Sequence, residues 1–394
     1  MKKLLCALLA LFILSFCGCA LHPGAPDGES EDEYANAAVT VADRDGKPLG
    51  VIERYGLCTV TDSGIFYPAN VPGSRGVTKE FRLFDPVSGE DRLLGTVENV
   101  YYEAAYARVE FDGTLYTLVV SGDPMDGEPD PLLLLAFDLE KGGVSGHTVS
   151  ENGFPYVSMT ENSGRLLIMN HDQTDILTDR LIEFDPVASA FTERLAFTLD
   201  KELHGESVRG VYAEDGRIYL LRLRFEGEGS VRALLDTYDG AYQKLSELDI
   251  TDLLVQNADD PSNELMQAVD RFTVTWGRIL YYENFSVTRC LADIVTGERL
   301  PGVVTDGLFA GSQGSGRQIW FDTFATLEKE GKNSIYSLMV NGTLFTENFT
   351  GSDPRYYITS GSVSPNGSLI LEACYVNPDD NADALPVMIY FVPA

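Results

Sequence analysis

From residue 39 onward, short apolar runs alternate with turn residues at a regular interval. One recurring element is a turn glycine followed by an apolar run, as in Ser63-Gly64-Ile65-Phe66-Tyr67, Asp112-Gly113-Thr114-Leu115-Tyr116 and Asp215-Gly216-Arg217-Ile218-Tyr219. The same element stands at Gly164, Gly277, Gly316 and Gly367. These seven glycines lie 49, 51, 52, 61, 39 and 51 residues apart. Asp-Gly or Ser-Gly between apolar runs predicts a tight hairpin, because glycine adopts a positive φ without steric cost. A second element follows each glycine by 16 to 25 residues, where an apolar run closes on Asp85, Asp138, Asp185, Asp239, Asp293 or Asn341. Asp and Asn start such turns because their side chains cap the local backbone.

One unit therefore reads strand, tight turn, strand, longer loop, strand, tight turn, strand. In the third unit the predicted strands are Tyr156 to Thr160, Arg165 to Asn170, Arg180 to Phe184 and Phe191 to Leu199. Four short antiparallel strands every 50 residues or so, with no substantial helix, predict an all-β fold. The pattern is that of a seven-bladed β-propeller of four-stranded antiparallel blades, with six or eight blades as the alternatives. The seventh unit supplies only three strands, the last at Leu385 to Val392, while a spare strand at Val39 to Ala42 precedes the first unit. An N-terminal strand closing the last blade is the expected solution, since it removes an open sheet edge. The spacing of 61 contains an insertion at about Thr251 to Val269, where Pro261-Ser262 before Glu264 predicts a short helix.

The first 37 residues follow different rules. Lys2 and Lys3 precede a 13-residue apolar run, Leu4 to Phe16, which is too short for a membrane span and suits an export signal. The run ends in Gly18-Cys19, which resembles the lipobox of bacterial lipoproteins. That resemblance implies cleavage before Cys19, a lipid on Cys19, and a protein secreted across the bacterial cytoplasmic membrane and held at the cell envelope. An ordinary secretory signal is the other reading. Pro23, Gly24, Pro26, Gly28 and the acids Glu29, Glu31, Asp32 and Glu33 make residues 19–37 a solvated acidic tether. The predicted organisation is a signal peptide over 1–18, this tether, and the propeller over 38–394.

Composition narrows the function. Sixty Asp and Glu against 29 Lys and Arg give a net charge of −31, which excludes nucleic acid as a partner. Beyond Cys6, Cys17 and Cys19, the cysteines are Cys58, Cys290 and Cys374, with no CxxC spacing and no histidine cluster for zinc. They allow at most one disulfide, or buried free thiols. No nucleophile elbow, no His-Glu-x-x-His and no phosphate-binding loop occurs.

Ser364-Pro365-Asn366-Gly367 resembles the Ser-Pro-Asp-Gly turn of secreted TolB-like propeller lipoproteins. The resemblance extends over residues 38 to 394 only as architecture, and fold alone does not assign an activity. Two sets of loops on one face carry the remaining chemistry. Asp379, Asn381 and Asp383 alternate like the start of a calcium loop, although Ala384 stands where such a loop has glycine. Acids also crowd Asp123 to Asp130 and flank His171 at Asp172 and Asp175. Tyr101, Tyr102, Tyr156, Tyr356 and Tyr357 are expected near the axial entrance, where rings beside acids suit a carbohydrate, peptide or protein ligand. The bland readings are solvated acids and rings packed between blades. The expected function is a lipid-anchored extracytoplasmic ligand- or protein-binding propeller without catalytic activity. Its alternatives are a glycan-active enzyme, hydrolase or lyase, using loop carboxylates, and an envelope-assembly scaffold. No cofactor is expected apart from calcium at the acidic loop, and the membrane is met through the N-terminal lipid.

Overall fold

The computed structural model describes residues 35–394 apart from 75, 105–106, 123–129, 152–157, 172–177, 201–203, 227–229, 256–264, 266–268, 270–271, 276, 283–288, 306–308, 311–318, 325–334, 341–342, 347–355, 377–383 and 392–394. All but one of them belong to the unit Asn36–Ala394. The described strands fall into seven sheets. An N-terminal hairpin, β1 (Ala37–Asp43) and β2 (Pro48–Arg54), comes first. The first sheet is β3 (Thr59–Thr61), β4 (Gly64–Asn70), β5 (Lys79–Phe84) and β6 (Asp91–Val97), paired in chain order. The second holds β7 (Val100–Glu103), β8 (Val109–Phe111), β9 (Thr114–Ser121), β10 (Leu132–Asp138) and β11 (Val144–Ser150).

The third sheet is β12 (Ser158–Asn162), β13 (Arg165–His171), β14 (Thr178–Asp185) and β15 (Ala190–Thr198). These lie within two residues of the strands expected from the sequence. The fourth is β16 (His204–Glu214), β17 (Arg217–Glu226), β18 (Val231–Tyr238) and β19 (Lys244–Asp249). A four-residue helix, α1 (Thr251–Leu254), then opens the expected insertion; the Pro261-Ser262 cap lies outside the described residues. The fifth sheet is β20 (Thr273–Thr275), β21 (Arg278–Tyr282), β22 (Arg289–Asp293) and β23 (Arg299–Thr305), and the sixth is β24 (Phe309–Ala310), β25 (Ile319–Phe324), β26 (Ile335–Val340) and β27 (Thr343–Thr346). The last three strands are β28 (Tyr356–Val363), β29 (Leu369–Val376) and β30 (Ala384–Phe391).

Burial follows strand position. Every residue of β4 is buried, and so are the central residues of β9 and β13. The outer strands β11, β15 and β19 have no fully buried residue. Alternate residues of one strand serve two cores, because side chains project to opposite faces. On β9, Leu115 and Val119 join Phe66 and Phe81 of the first sheet, while Tyr116, Leu118 and Val120 join Leu166 and Ile168 of the third. On β17, Ile218 and Leu220 pack with Leu167 and Met169, while Tyr219 and Leu221 pack with Ile279. The sheets thus stack face against face, the arrangement of a β-propeller. Phe66, Phe81 and Phe137 form a ring trio with centroids 4.8 to 5.7 Å apart. Each such ring contributes about 1.5–3 kcal/mol by leaving water.

The N-terminal strand joins the last sheet, but not as a simple fourth strand. The order there is β2-β1-β30-β29-β28, and β1 runs parallel to β30, with Thr40 opposite Val387 and Asp43 opposite Tyr390. In the first sheet and in the third to sixth, the outer strand is antiparallel to the third. In the last sheet that direction belongs to β2, the return strand of the hairpin. The expected single closing strand is therefore corrected to a two-strand insertion with one parallel step. Val39, Val41 and Ile52 bury with Val60 and Ile65 of the first sheet and with Ile370 and Met388. Gly50 lets β2 lie flat on the first sheet, since a Cβ there would meet the Phe84 ring at 2.5 Å. Arg54 pairs with Glu372 of β29 at 3.0 Å, and Glu372 also accepts the Cys58 N–H at 3.0 Å.

The predicted turn chemistry is present. Asp215 and Gly216 have φ of 49° and 71°, as do Asp112 and Gly113. Two successive left-handed residues match a turn whose twist suits a hairpin. Gly216→Ala is expected to cost about 1–2 kcal/mol, and Gly216→Asn distinctly less, because Asn tolerates this region. No atom lies within 4 Å of a Cβ built at Gly216, so the cost comes from the backbone alone. Denaturant midpoints of the two variants check this; equal losses would remove backbone conformation as the cause.

Candidate functional site

β4 and β6 run in the same direction, so loop 71–78 and the connection into β7 lie at the same end of the first sheet. Loop 71–78 is tied to the start of the second sheet by the Val100 N–H to Val77 O bond of 2.8 Å. Beside it, the first strand of the second sheet is interrupted. β7 and β8 both pair with β9, and the strand pairing is interrupted between Glu103 and Val109. Arg108, just before β8, is fully buried. Its guanidinium meets Glu103 Oε1 at 2.6 Å and donates to Leu57 O at 2.8 Å and Thr59 Oγ1 at 2.9 Å. It also stacks 5.1 Å from the Phe66 ring centroid. One charged side chain thus joins the first strands of two sheets.

Lys79 lies in the same region. It opens β5, and its Nζ donates to Asn70 Oδ1 at 2.9 Å at the end of β4. The Tyr55 ring covers the amine, with its centroid 4.6 Å away. Asn36 fixes the Asn70 backbone by two bonds, of 2.9 and 2.7 Å. Burial pushes the Lys79 amine below the ordinary lysine range; the Glu103 charge opposes this shift and the Arg108 charge adds to it.

Two further buried groupings lie on the fourth and third sheets. On the fourth sheet Arg222 pairs with Asp236 at 2.7 Å, with Glu247 at 2.9 Å and with Glu206. Arg224 and Lys244 extend the network to Glu206 and Glu247. Burial works against the Arg222 charge, but Asp236 and Glu206 outweigh it and raise its pKa. Lys244 and Arg224 hold Glu247 down to about 2. On the third sheet His171 Nδ1 meets Asp179 Oδ1, and Asp179 Oδ2 accepts the Val208 N–H of the fourth sheet. At the opposite end of the sheets, a chain of backbone bonds runs between turns. Asn366 N–H donates to Asp62 Oδ1 at 2.8 Å, and Asp62 N–H donates to Glu110 at 3.0 and 3.1 Å. Burial first, and the Asp62 charge second, push Glu110 up to about 8.

The residues expected from the sequence fare unevenly. Tyr101 and Tyr102 both lie on β7, but Tyr101 is 54% exposed while Tyr102 packs into the core between the second and third sheets. Tyr356 and Tyr357 lie on β28, opposite Tyr375 and Cys374. Cys19, Tyr156, Asp379, Asn381 and Asp383 lie outside the described residues. Asp130 is buried rather than solvated. Cys58, Cys290 and Cys374 are free thiols, the first two buried. Among the described residues no three His, Cys, Asp or Glu side chains gather to hold a metal ion, and no helix is long and apolar enough to cross a membrane. The Lys79 and Arg108 groupings were missed because their members come from five separate segments. The available signal was a lysine at the first position of a strand whose apolar residues are Phe81, Leu83 and Phe84.

No family model and no curated protein sequence matches the chain. Solved structures match as folds. The β-propeller domain of the Trilobed protease from Pyrococcus furiosus, described as having an open velcro topology, has a TM-score of 0.40 at 8% identity, covering 68% of this chain and 77% of that one. Pyrococcus horikoshii acylaminoacyl peptidase has a TM-score of 0.43 at 10% identity, covering 68% of this chain and 42% of the other. A structure from a study of two prolyl endopeptidases reaches 0.46 at 14% identity, covering 90% and 57%. This chain thus spans about half the length of the latter two. The expectation of a binding propeller without catalytic activity is corrected at that last point: the solved structures found to resemble the chain are of peptidases. A motif search tests only the residues of one chain, whereas a propeller can serve a reaction as one domain of a larger peptidase.

Two measurements follow from these groupings. Glu110 binds its proton more tightly in the native state than in the unfolded chain, where a glutamate titrates near about 4.3. Its contribution to stability is therefore full below that value and is lost as pH rises toward 8. Melting temperatures from pH 5 to 8 should fall less for Glu110→Gln than for the parent; identical slopes would dismiss the shift. Arg222→Met leaves Asp236 buried with reduced compensation and is expected to cost about 3–5 kcal/mol. Combining it with Asp236→Asn should recover part of that loss in chemical denaturation.

Proposed function

We propose that the protein is a peptidase-associated propeller that takes hold of extended polypeptide where the first strand of its second sheet is interrupted. The observation that carries this reading is the break between β7 and β8, with Tyr101 exposed beside it. In a propeller the first strand of each blade lines the central channel. Tyr101 is exposed on β7 next to the break, whose described residues Ala104, Ala107 and Arg108 are buried. Extended polypeptide is recognised by main-chain hydrogen bonds along a strand edge supplemented by side-chain contacts, and an exposed ring suits the second of these. The peptidases named above set the class of partner to test first.

We read the seven sheets as seven blades of one ring, with the β1–β2 hairpin completing the last. The direction of β2 and the β1–β30 pairing support this reading. The protein is exported and anchored by a lipid on Cys19, with residues 19–37 as its tether; the run Leu4 to Phe16 followed by Gly18-Cys19 supports the address.

A fluorescently labelled unstructured polypeptide should bind the purified full chain, and Tyr101→Ala should weaken that binding about tenfold, the scale of one exposed aromatic anchor. Crosslinking in native membranes should capture a peptidase. Absence of polypeptide binding, or binding indifferent to Tyr101→Ala, would overturn the proposal.

A further inference from the structure

Among the described residues, several buried charges meet an opposite charge. Arg108 has Glu103, Arg222 has Asp236, Glu206 and Glu247, and Arg54 has Glu372. Lys79 is 6% exposed, and its amine has two partners among the described residues: a neutral amide oxygen, Asn70 Oδ1 at 2.9 Å, and the face of Tyr55. Neither carries a formal charge. The next charges around it are Glu103 and Arg108, which neutralise each other at 2.6 Å. Among the described residues, Lys79, Glu103 and Arg108 together carry a formal charge of +1, in a chain whose total is −31.

We infer that Lys79 is the recognition point for a carboxylate brought by a ligand, received between Tyr55 and Asn70 at the loop end of the first and second sheets. The chemistry follows from what the amine lacks. An ammonium has three donors, and an amide oxygen takes one of them here. A buried ammonium without a carboxylate is held at a cost that an anionic partner removes. The groups around it are held in advance of any ligand. Asn36 clamps the Asn70 backbone from both sides, and Tyr55 N–H is bonded to Pro68 O at 2.8 Å. The Tyr55 face stabilises the cation without neutralising it. An anion entering here meets one ammonium and a polar amide, a set that suits a single carboxylate better than a phosphate, for which several cationic donors gather. The inference stands whether or not polypeptide is the ligand, because the same chemistry fits a peptide carboxylate and a small organic acid.

The test is amine labelling of Lys79 in the full chain, read by mass spectrometry across pH. The additions are sodium acetate, a tripeptide with a free C-terminus, and the same tripeptide amidated. A bound carboxylate favours the charged amine, so labelling of Lys79 at a fixed pH near 8 should drop about tenfold for each unit by which its pKa rises. Protection by acetate and by the free-acid tripeptide supports a site open to any carboxylate. Protection by the free-acid tripeptide alone supports a peptide source. Equal protection by the amidated tripeptide would overturn the inference, and so would no protection by any of the three. Lys79→Met, which keeps the apolar stem and removes the charge, should fold and should lose the thermal stabilisation that the protecting acid gives the parent protein. Retention of that stabilisation in Lys79→Met would place the acid elsewhere and also overturn it.

Discussion

The second strand of a sheet here is apolar on both faces, and the rest of the structure depends on satisfying it. A strand such as β9 or β13 has no solvent side, so a sheet on its own leaves half of its central strand bare. The remedy is a neighbouring sheet on each side, and each neighbour has the same need. This is why the cores lie between sheets rather than within them. It also explains the gradient along each sheet, from buried second strands to exposed outer ones, and the hairpin that covers the first sheet with β2 and Gly50. Polar links then fix neighbouring sheets in register. Asp179 reaches a backbone group of the fourth sheet, and Arg108 and Glu372 reach backbone groups of Leu57 and Cys58, just before the first sheet.

Much of the architecture was legible because its signals are local. An Asp-Gly turn needs only two residues, and the glycine spacing announced the repeat directly. The strands of the third unit were placed within two residues for the same reason. The β1–β2 hairpin was half legible. Val39 to Ala42 reads as a strand, but Pro48, Gly50 and the charged pair Glu53-Arg54 make β2 look like a loop. Only contact with Phe84 and Ile65 shows why it is ordered. The parallel step was not legible at all, because chain direction inside a sheet leaves no mark on composition.

The site was less legible than the fold. Reading Tyr101 and Tyr102 as one aromatic patch overlooked the period of two, which sends one ring outward and its neighbour into the core. The Lys79 surroundings draw on Asn36, Tyr55, Asn70 and the β7–β8 step, and no window of sequence holds them together. The functional expectation failed for a different reason. It took an absence of catalytic motifs in one chain as a property of the whole activity, although a propeller can work as one domain among several.

The β1–β30 pairing also sets the order in which the protein can be made. Thr40 meets Val387, so β1 waits for a strand that comes 347 residues later in the chain. Until then β1 has β2 along one edge and nothing along the other, and its Val39 and Val41 lack Met388. A half-paired apolar strand is the kind of edge that seeks other chains. The nascent chain therefore carries an open, adhesive edge while everything between β1 and β30 is made, and a host that makes this protein in quantity must shield that edge until β30 arrives.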